Sequence, residues 1–241
     1  MRRRLTALTA SLAAAVLAAP ASAAAHDSEF EAKLRLTSAQ PGSPSGAVLN
    51  LTRPDEPDGK PKAESLGVFQ LPKGTRISHR AVPPCELDDL TLQIQGTAAC
   101  PASYLGAGSA TLVTGLGSPV DPYTLRQHWY YAPGELVVLY TNNSGDSPVL
   151  KVGRVQIEDA TFTAHLDLPP GYPPGSKTVP KDTDIAIDRF VGPNGAFITT
   201  PRKCPRSGRW VTTVRLTYDD GSIDQISDAM RCRRPSRRRG R

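Results

Sequence analysis

The chain has 241 residues, 39 % of them hydrophobic, with 23 prolines and 20 glycines; that much turn chemistry argues against long helices and for many short strands. Its net charge of +6 sits at the two ends, since Arg2, Arg3 and Arg4 supply +3 and the closing RCRRPSRRRGR holds seven arginines and no acid. Residues 24–230 are left with −4, so a nucleic-acid-binding domain with a basic face is excluded, and with it sequence-specific readout.

The first 23 residues read as a secretory signal peptide. Arg2 to Arg4 form a positive start, Leu5 to Leu17 a short apolar core, and Ala21-Ser22-Ala23 a small-residue cleavage site. The apolar run is too short to span a bilayer and no second one follows, so no transmembrane segment is expected. The organisation is therefore a leader at 1–23, one domain at 24–232 and an Arg-rich tail at 233–241. The expected location is extracellular, either released or held at the cell wall.

After a variable start, EAKLRLT alternates as a strand with Leu34 and Leu36 on one face. Ser38 to Gly46 is turn, Ala47 to Leu51 strand, and the Pro/Asp/Gly-rich stretch from Thr52 to Pro61 loop. Leu66 to Leu71 is a strand ended by Pro72-Lys73-Gly74. Between Cys85 and Cys100 the alternation breaks, and Glu86, Asp88 and Asp89 lie early, where a helix dipole favours acids. One short helix is predicted there. Strands follow at 109–114, 127–131, 136–141, 150–157 and 160–168, then the PPGYPPG knot at 169–175, then strands at 183–190 and 197–199. The last element is a hairpin: Val214, Leu216 and Tyr218 alternate, Asp219-Asp220-Gly221-Ser222 turns, and Ile223 to Ile226 returns. A two-residue turn at Asp220-Gly221 would pair positions whose numbers add to 441. Ten to twelve short strands with turns between them predict a single-domain antiparallel β-sandwich.

Four cysteines in an exported chain predict two disulfides. Three connectivities are open, and the nearest-neighbour one, Cys85–Cys100 with Cys204–Cys232, is adopted. The first would staple the helix to the sheet. The second runs across the terminal hairpin, with Cys204 beyond the strand proper and Pro205 to Gly208 as the loop that lets it reach. Without a CxxC or a histidine at ligand spacing, no metal is expected on these sulfurs.

No stretch carries a P-loop, HExxH, GxGxxG or GxSxG pattern, and no cofactor is implied. His26, His79, His128 and His165 are scattered, and no spacing selects a carboxylate pair from Glu135, Glu158 and Asp159. Asp182, Asp184 and Asp188 are weak calcium candidates, although Asp184 and Asp188 also suit the solvent side of a strand whose inward residues are Ile185 and Ile187. His128-Trp129-Tyr130-Tyr131 is the densest aromatic run. Trp129 and Tyr131 share a face, either as core or as a binding surface for a sugar ring or a partner. The tail, as a like-charge block, would meet anionic wall polymers or acidic surfaces without regard to sequence.

Val82-Pro83-Pro84-Cys85 with Cys100-Pro101-Ala102-Ser103-Tyr104-Leu105-Gly106-Ala107-Gly108 resembles a group of exported actinobacterial proteins of unknown function. The likeness returns at Gly195-Ala196-Phe197-Ile198-Thr199-Thr200-Pro201 and at Cys204-Pro205 with Gly208-Arg209-Trp210. It implies a shared disulfide-bonded fold and brings no activity. The expectation is a secreted, non-catalytic extracellular or cell-envelope protein. Its alternatives are a cell-wall glycan-binding module using Trp129 and Tyr131, and a hydrolase whose site is assembled from scattered residues.

Overall fold

The structure, a computed structural model, describes residues 30–119, 121–142 and 148–233. The expected signal peptide, His26 and the arginines after Arg233 lie outside the described residues.

Alternation shapes the strands from the start. In β1 (Glu31–Leu36), Ala32, Leu34 and Leu36 are buried while Glu31, Lys33 and Arg35 face solvent. There follow β2 (Pro44–Ser45), β3 (Ala47–Thr52), β4 (Glu64–Gln70) and β5 (Arg76–Ile77). After helix α1 (Asp89–Gln95) come β6 (Tyr104–Val113), β7 (Tyr123–Ala132), β8 (Glu135–Asn142), β9 (Val149–Glu158) and β10 (Thr161–His165). The chain ends with β11 (Val179–Ile187), β12 (Val191–Gly192), β13 (Gly195–Ala196), β14 (Ile198–Thr199), β15 (Arg209–Tyr218) and β16 (Ile223–Arg231).

Eleven of these form one antiparallel sheet in the order β1-β3-β11-β6-β7-β8-β9-β10-β4-β15-β16. The sheet curls until β1 lies against β15 and β16. Side chains close that seam: Thr212 Oγ1 donates to Leu34 O at 2.7 Å, and Arg35 Nε donates to Asp228 Oδ2 at 2.7 Å. The expected antiparallel all-β fold is present, and its two facing layers are walls of a single barrel-like sheet. Covering both edges this way leaves little unpaired backbone for another chain to add to.

One end of the barrel is filled. β14 pairs with β2 and β5 in a small separate sheet, which drives Phe197 and Ile198, both 0 % exposed, into the core beneath Tyr131. Leu71, Ala81 and Val82 pack into the same floor. At the opposite end the PPGYPPG stretch forms a closed loop leading into β11 of the same sheet. There Gly171 N donates to Ser176 O at 2.8 Å and Thr178 N to Pro169 O at 2.8 Å. Buried Lys60 staples this loop, its Nζ donating to Tyr172 O and Ser176 Oγ at 2.9 Å each.

The short helix lies where it was expected. Asp88 caps it by accepting from Thr91 N at 2.8 Å, and Gly96 ends it at φ 68°. Only Leu92 of the helix is fully buried; it packs on the outer face of β7 and β8 with Tyr130, Val137 and Leu139. Cys85–Cys100 ties both flanks of the helix to that face, and Cys204–Cys232 forms the second bridge. The helix also reaches β9, where Arg154 pairs with Asp89 at 2.5 Å and with Glu135.

The hairpin register differs by one residue from expectation. Thr217 pairs with Ile223, so partners add to 440, and Tyr218 N donates to Ser222 O at 2.9 Å. The loop has three residues, with Gly221 at φ +81° in the left-handed position that such a loop requires. Cys204 does sit beyond the strand, on a turn closed by Gly208 N donating to Pro205 O at 3.0 Å.

Candidate ligand cavity

Inward-facing positions do not fill the barrel. Above the Phe197–Ile198 floor lies a cavity of about 370 Å³, within the ordinary range for small-molecule sites. Its walls are mainly aliphatic and aromatic, with Leu49, Leu112, Val138, Phe162, Ile185 and Leu216 from different strands. Register explains how the space arises. Gly108, Gln127, Tyr140 and Lys151 form one rung across β6 to β9, and Gly106, Trp129, Val138 and Gly153 form the next. Large side chains on β7 and β8 are thus flanked by glycines. A Cβ at Gly153 would fall 2.7 Å from Val138 Cγ1, and one at Gly108 would fall 2.4 Å from Asp184 O and 2.8 Å from Gln127 Oε1.

A few polar groups interrupt this apolar lining. Near the PPGYPPG end, Arg53 Nη2 and Glu64 Oε1 form a buried ion pair at 2.6 Å. Arg53 Nη1 also donates to Pro180 O at 3.3 Å. Burial drives the Glu64 carboxyl above the usual carboxylate range, and the nearby Arg53 guanidinium only partly opposes that. The Tyr140 hydroxyl is pushed up to about 12 by burial and by the field of Glu64. Tyr218, whose hydroxyl donates to Asp224 Oδ2 at 3.2 Å, is likewise raised by burial and then by Asp224.

Two further groups on β7 also line the cavity. Gln127 and Trp129 are 3 % and 6 % exposed, and neither Gln127 Oε1 nor Trp129 Nε1 has a hydrogen-bond partner among the described residues. Arg53 Nε, both Glu64 carboxylate oxygens and Thr75 Oγ1 are likewise buried without a hydrogen-bond partner among the described residues, whereas other buried polar groups are satisfied. Trp210 Nε1 donates to Lys203 O at 3.3 Å, and the Tyr130 hydroxyl donates to Thr97 O at 2.7 Å.

The cavity meets solvent on one side of the barrel. The β9–β10 ladder stops at Val155–Ala164. Beyond it the chain turns toward β4, where Leu166 N donates to Ser65 O at 2.9 Å. The window left between the strands is lined by Leu150, 54 % exposed, with Lys151, Leu166 and Asp167. Lys151 Nζ bridges it, donating to Asp167 O and lying 3.8 Å from the Asp167 carboxylate.

The residues singled out from sequence are dispersed. Trp129 and Tyr131 share a face, as the alternation implied, but that face is the barrel interior, and at 6 % and 3 % exposed they offer no outer platform. Instead Trp129 walls the cavity, while Tyr131 packs on Phe197, ring centroids 5.7 Å apart, with its hydroxyl 3.2 Å from His79 Nδ1. Asp182 and Asp184 belong to β11 and Asp188 follows it; Asp184 is exposed, and its Oδ1 accepts from Asn50 Nδ2 at 2.6 Å. Among the described residues no three His, Cys, Asp or Glu side chains gather where they could hold a metal ion. His128 Nε2 lies 3.4 Å from Thr141 Oγ1, and His165 is at the cavity rim. Gln127, Arg53 and Glu64 went unnoticed in the sequence. Gln127 had a signal: it occupies the inward parity of Leu125, Trp129 and Tyr131, where a polar side chain needs a reason. No described helix is long and apolar enough to cross a membrane. In comparisons with known proteins, no family model, no curated protein and no solved structure matches this chain.

Proposed function

We propose that this protein is an extracellular, non-catalytic carrier that holds one small apolar molecule inside its barrel. The observation that carries this reading is the 370 Å³ cavity, walled by hydrocarbon and reached through a break in the sheet. An unfilled space of that size is costly in a close-packed protein, because its lining atoms lose their dispersion partners. A ligand restores those contacts. The signal-peptide pattern and the two disulfides support an oxidising, extracellular setting. With Trp129 and Tyr131 turned inward, the aromatic pair serves an interior site better than a glycan-binding outer face.

The test is fluorimetry with the neutral dye 1-naphthylamine, which is small enough for a cavity of this volume. The protein is expected to enhance the dye's emission saturably, with one dye per chain. Ala164→Phe, which adds a ring at a cavity wall, is expected to abolish that enhancement while leaving the far-ultraviolet circular dichroism unchanged. Dye binding that survives this substitution intact would place the site elsewhere.

A further inference from the structure

We propose that the end of the barrel clasped by Cys204–Cys232 is a docking surface for an anionic polymer of the cell envelope. This draws on the extracellular setting proposed above and is independent of the cavity, so polymer binding and dye binding fail separately. Six cations, Arg202, Lys203, Arg206, Arg209, Arg231 and Arg233, lie within five residues of one cysteine or the other, and all six are exposed. The bridge holds the two segments at a Cα separation of 5.6 Å. Around it Cys232 N donates to Gly208 O at 2.9 Å, Gly208 N to Pro205 O at 3.0 Å, and Trp210 Nε1 to Lys203 O at 3.3 Å. The cations therefore ride on one braced knot, and five more arginines follow in the sequence at 234–241. The −4 balance of residues 24–230 conceals this cluster, because no Asp or Glu occurs at 189–218 or 229–241.

Stability does not explain this arrangement. Arg209 and Arg231 are direct partners across β15 and β16, on the exposed face. Cβ atoms so placed are about 5 Å apart, and like charges there are destabilising. None of the six cations forms an ion pair among the described residues. The nearest acid in sequence, Asp228, is already engaged by Arg35 at 2.7 Å. Cations held together in this way repel one another until a counter-charge arrives. A polymer of closely spaced oxoanions supplies it and releases its own condensed counterions. Five of the six are arginines, whose forked guanidinium matches such oxygens in pairs. No exposed aromatic ring lies among them, since Trp210 is 3 % exposed and turned inward; the stacking platform that single-stranded nucleic acid uses is missing. The Trp, Phe or Leu of a lipid-seeking surface is missing too, Val211 being the exposed apolar neighbour.

The test is retention of the full-length chain on immobilised poly(glycerol phosphate), read as affinity against salt. The triple variant Arg206→Gln, Arg209→Gln and Arg231→Gln is expected to bind about a hundredfold more weakly at low salt, at about fivefold per cation near an anionic surface. Its slope of log affinity against log salt should be shallower by about 2–3, as three fewer counterions are released. Its Tm should hold or rise, because Arg209 no longer opposes Arg231, and dye binding in the cavity should be unchanged. Arg206→Gln alone, on a surface turn, should weaken polymer binding about fivefold. A second triple variant, Arg126→Gln, Lys177→Gln and Lys181→Gln, removes the same charge from elsewhere and should bind the polymer as the unmodified chain does. Equal weakening by the two triple variants would overturn the docking surface in favour of net charge alone, as would undiminished retention of the first. Tighter binding of a random-sequence DNA duplex, or of phosphatidylglycerol vesicles, than of the polymer at matched salt would overturn the partner assigned.

Discussion

Replacing Arg53 by Met isolates the energetic role of the buried ion pair. Arg53 and Glu64 are 5 % and 0 % exposed, and their charged atoms meet at 2.6 Å in a chamber lined mainly by apolar side chains. Removing the cation strands Glu64 there, and breaking a buried pair on one side costs about 3–5 kcal/mol. Against a total stability of about 5–15 kcal/mol, that is a large fraction. For a chain of this size it corresponds to a fall in Tm of about 6–20 °C. The loss should depend on pH in a definite direction. Burial already holds the Glu64 pKa above its ordinary value, and losing Arg53 raises it further. The folded state then keeps a proton that the unfolded state releases near pH 4.3. The stability of Arg53→Met is therefore greatest below about pH 4.3 and declines as pH rises through the raised pKa of the folded state. Urea denaturation at a series of pH values measures this, and the double variant Arg53→Met with Glu64→Leu should recover most of the loss at neutral pH. A single variant that loses less than about 1 kcal/mol, or whose deficit grows toward acid, would refute an uncompensated buried carboxylate.

Two other outcomes follow from the same structure. Replacing Cys85 and Cys100 together by Ser should cost about 3 kcal/mol, the loop-closure value for a 15-residue separation; hydrogen exchange should then rise first around Leu92, with β15 and β16 protected as before. Deleting residues 234–241 removes five arginines and should abolish low-salt retention on anionic wall polymer while leaving Tm unchanged, because the last described anchor, Arg233 N donating to Ala39 O at 2.8 Å, is kept. Equal retention of the truncated protein would dismiss the tail as a tether.

Much of the strand layout was legible because inward and outward positions alternate with a period of two, as Leu34 and Leu36 or Val214, Leu216 and Tyr218 show. The helix was legible from its acidic start, and the cysteine pairing from proximity along the chain. The terminal hairpin was misjudged by one residue because a dipeptide Asp-Gly suits a two-residue turn and a three-residue turn ending in glycine equally well; strand pairing selects between them. The cavity was not legible at all. An inward Leu has the same pattern whether it touches the opposite wall or borders a void.

Sequence by itself determined local matters: an all-β chain, a short helix between Cys85 and Cys100, and a charge confined to the ends. Those depend on neighbours a few residues apart, through propensity, alternation and turn chemistry. Tertiary structure alone decided that β1 would close against β15 and β16, that Trp129 and Tyr131 would face inward, and that Gln127 and Trp129 would share a wall without partners. It also brought Arg53 to Glu64 inside the barrel. Each of these is a relation between strands distant in sequence, set by curvature and register, and no single segment encodes on which side of its face the enclosed volume will lie.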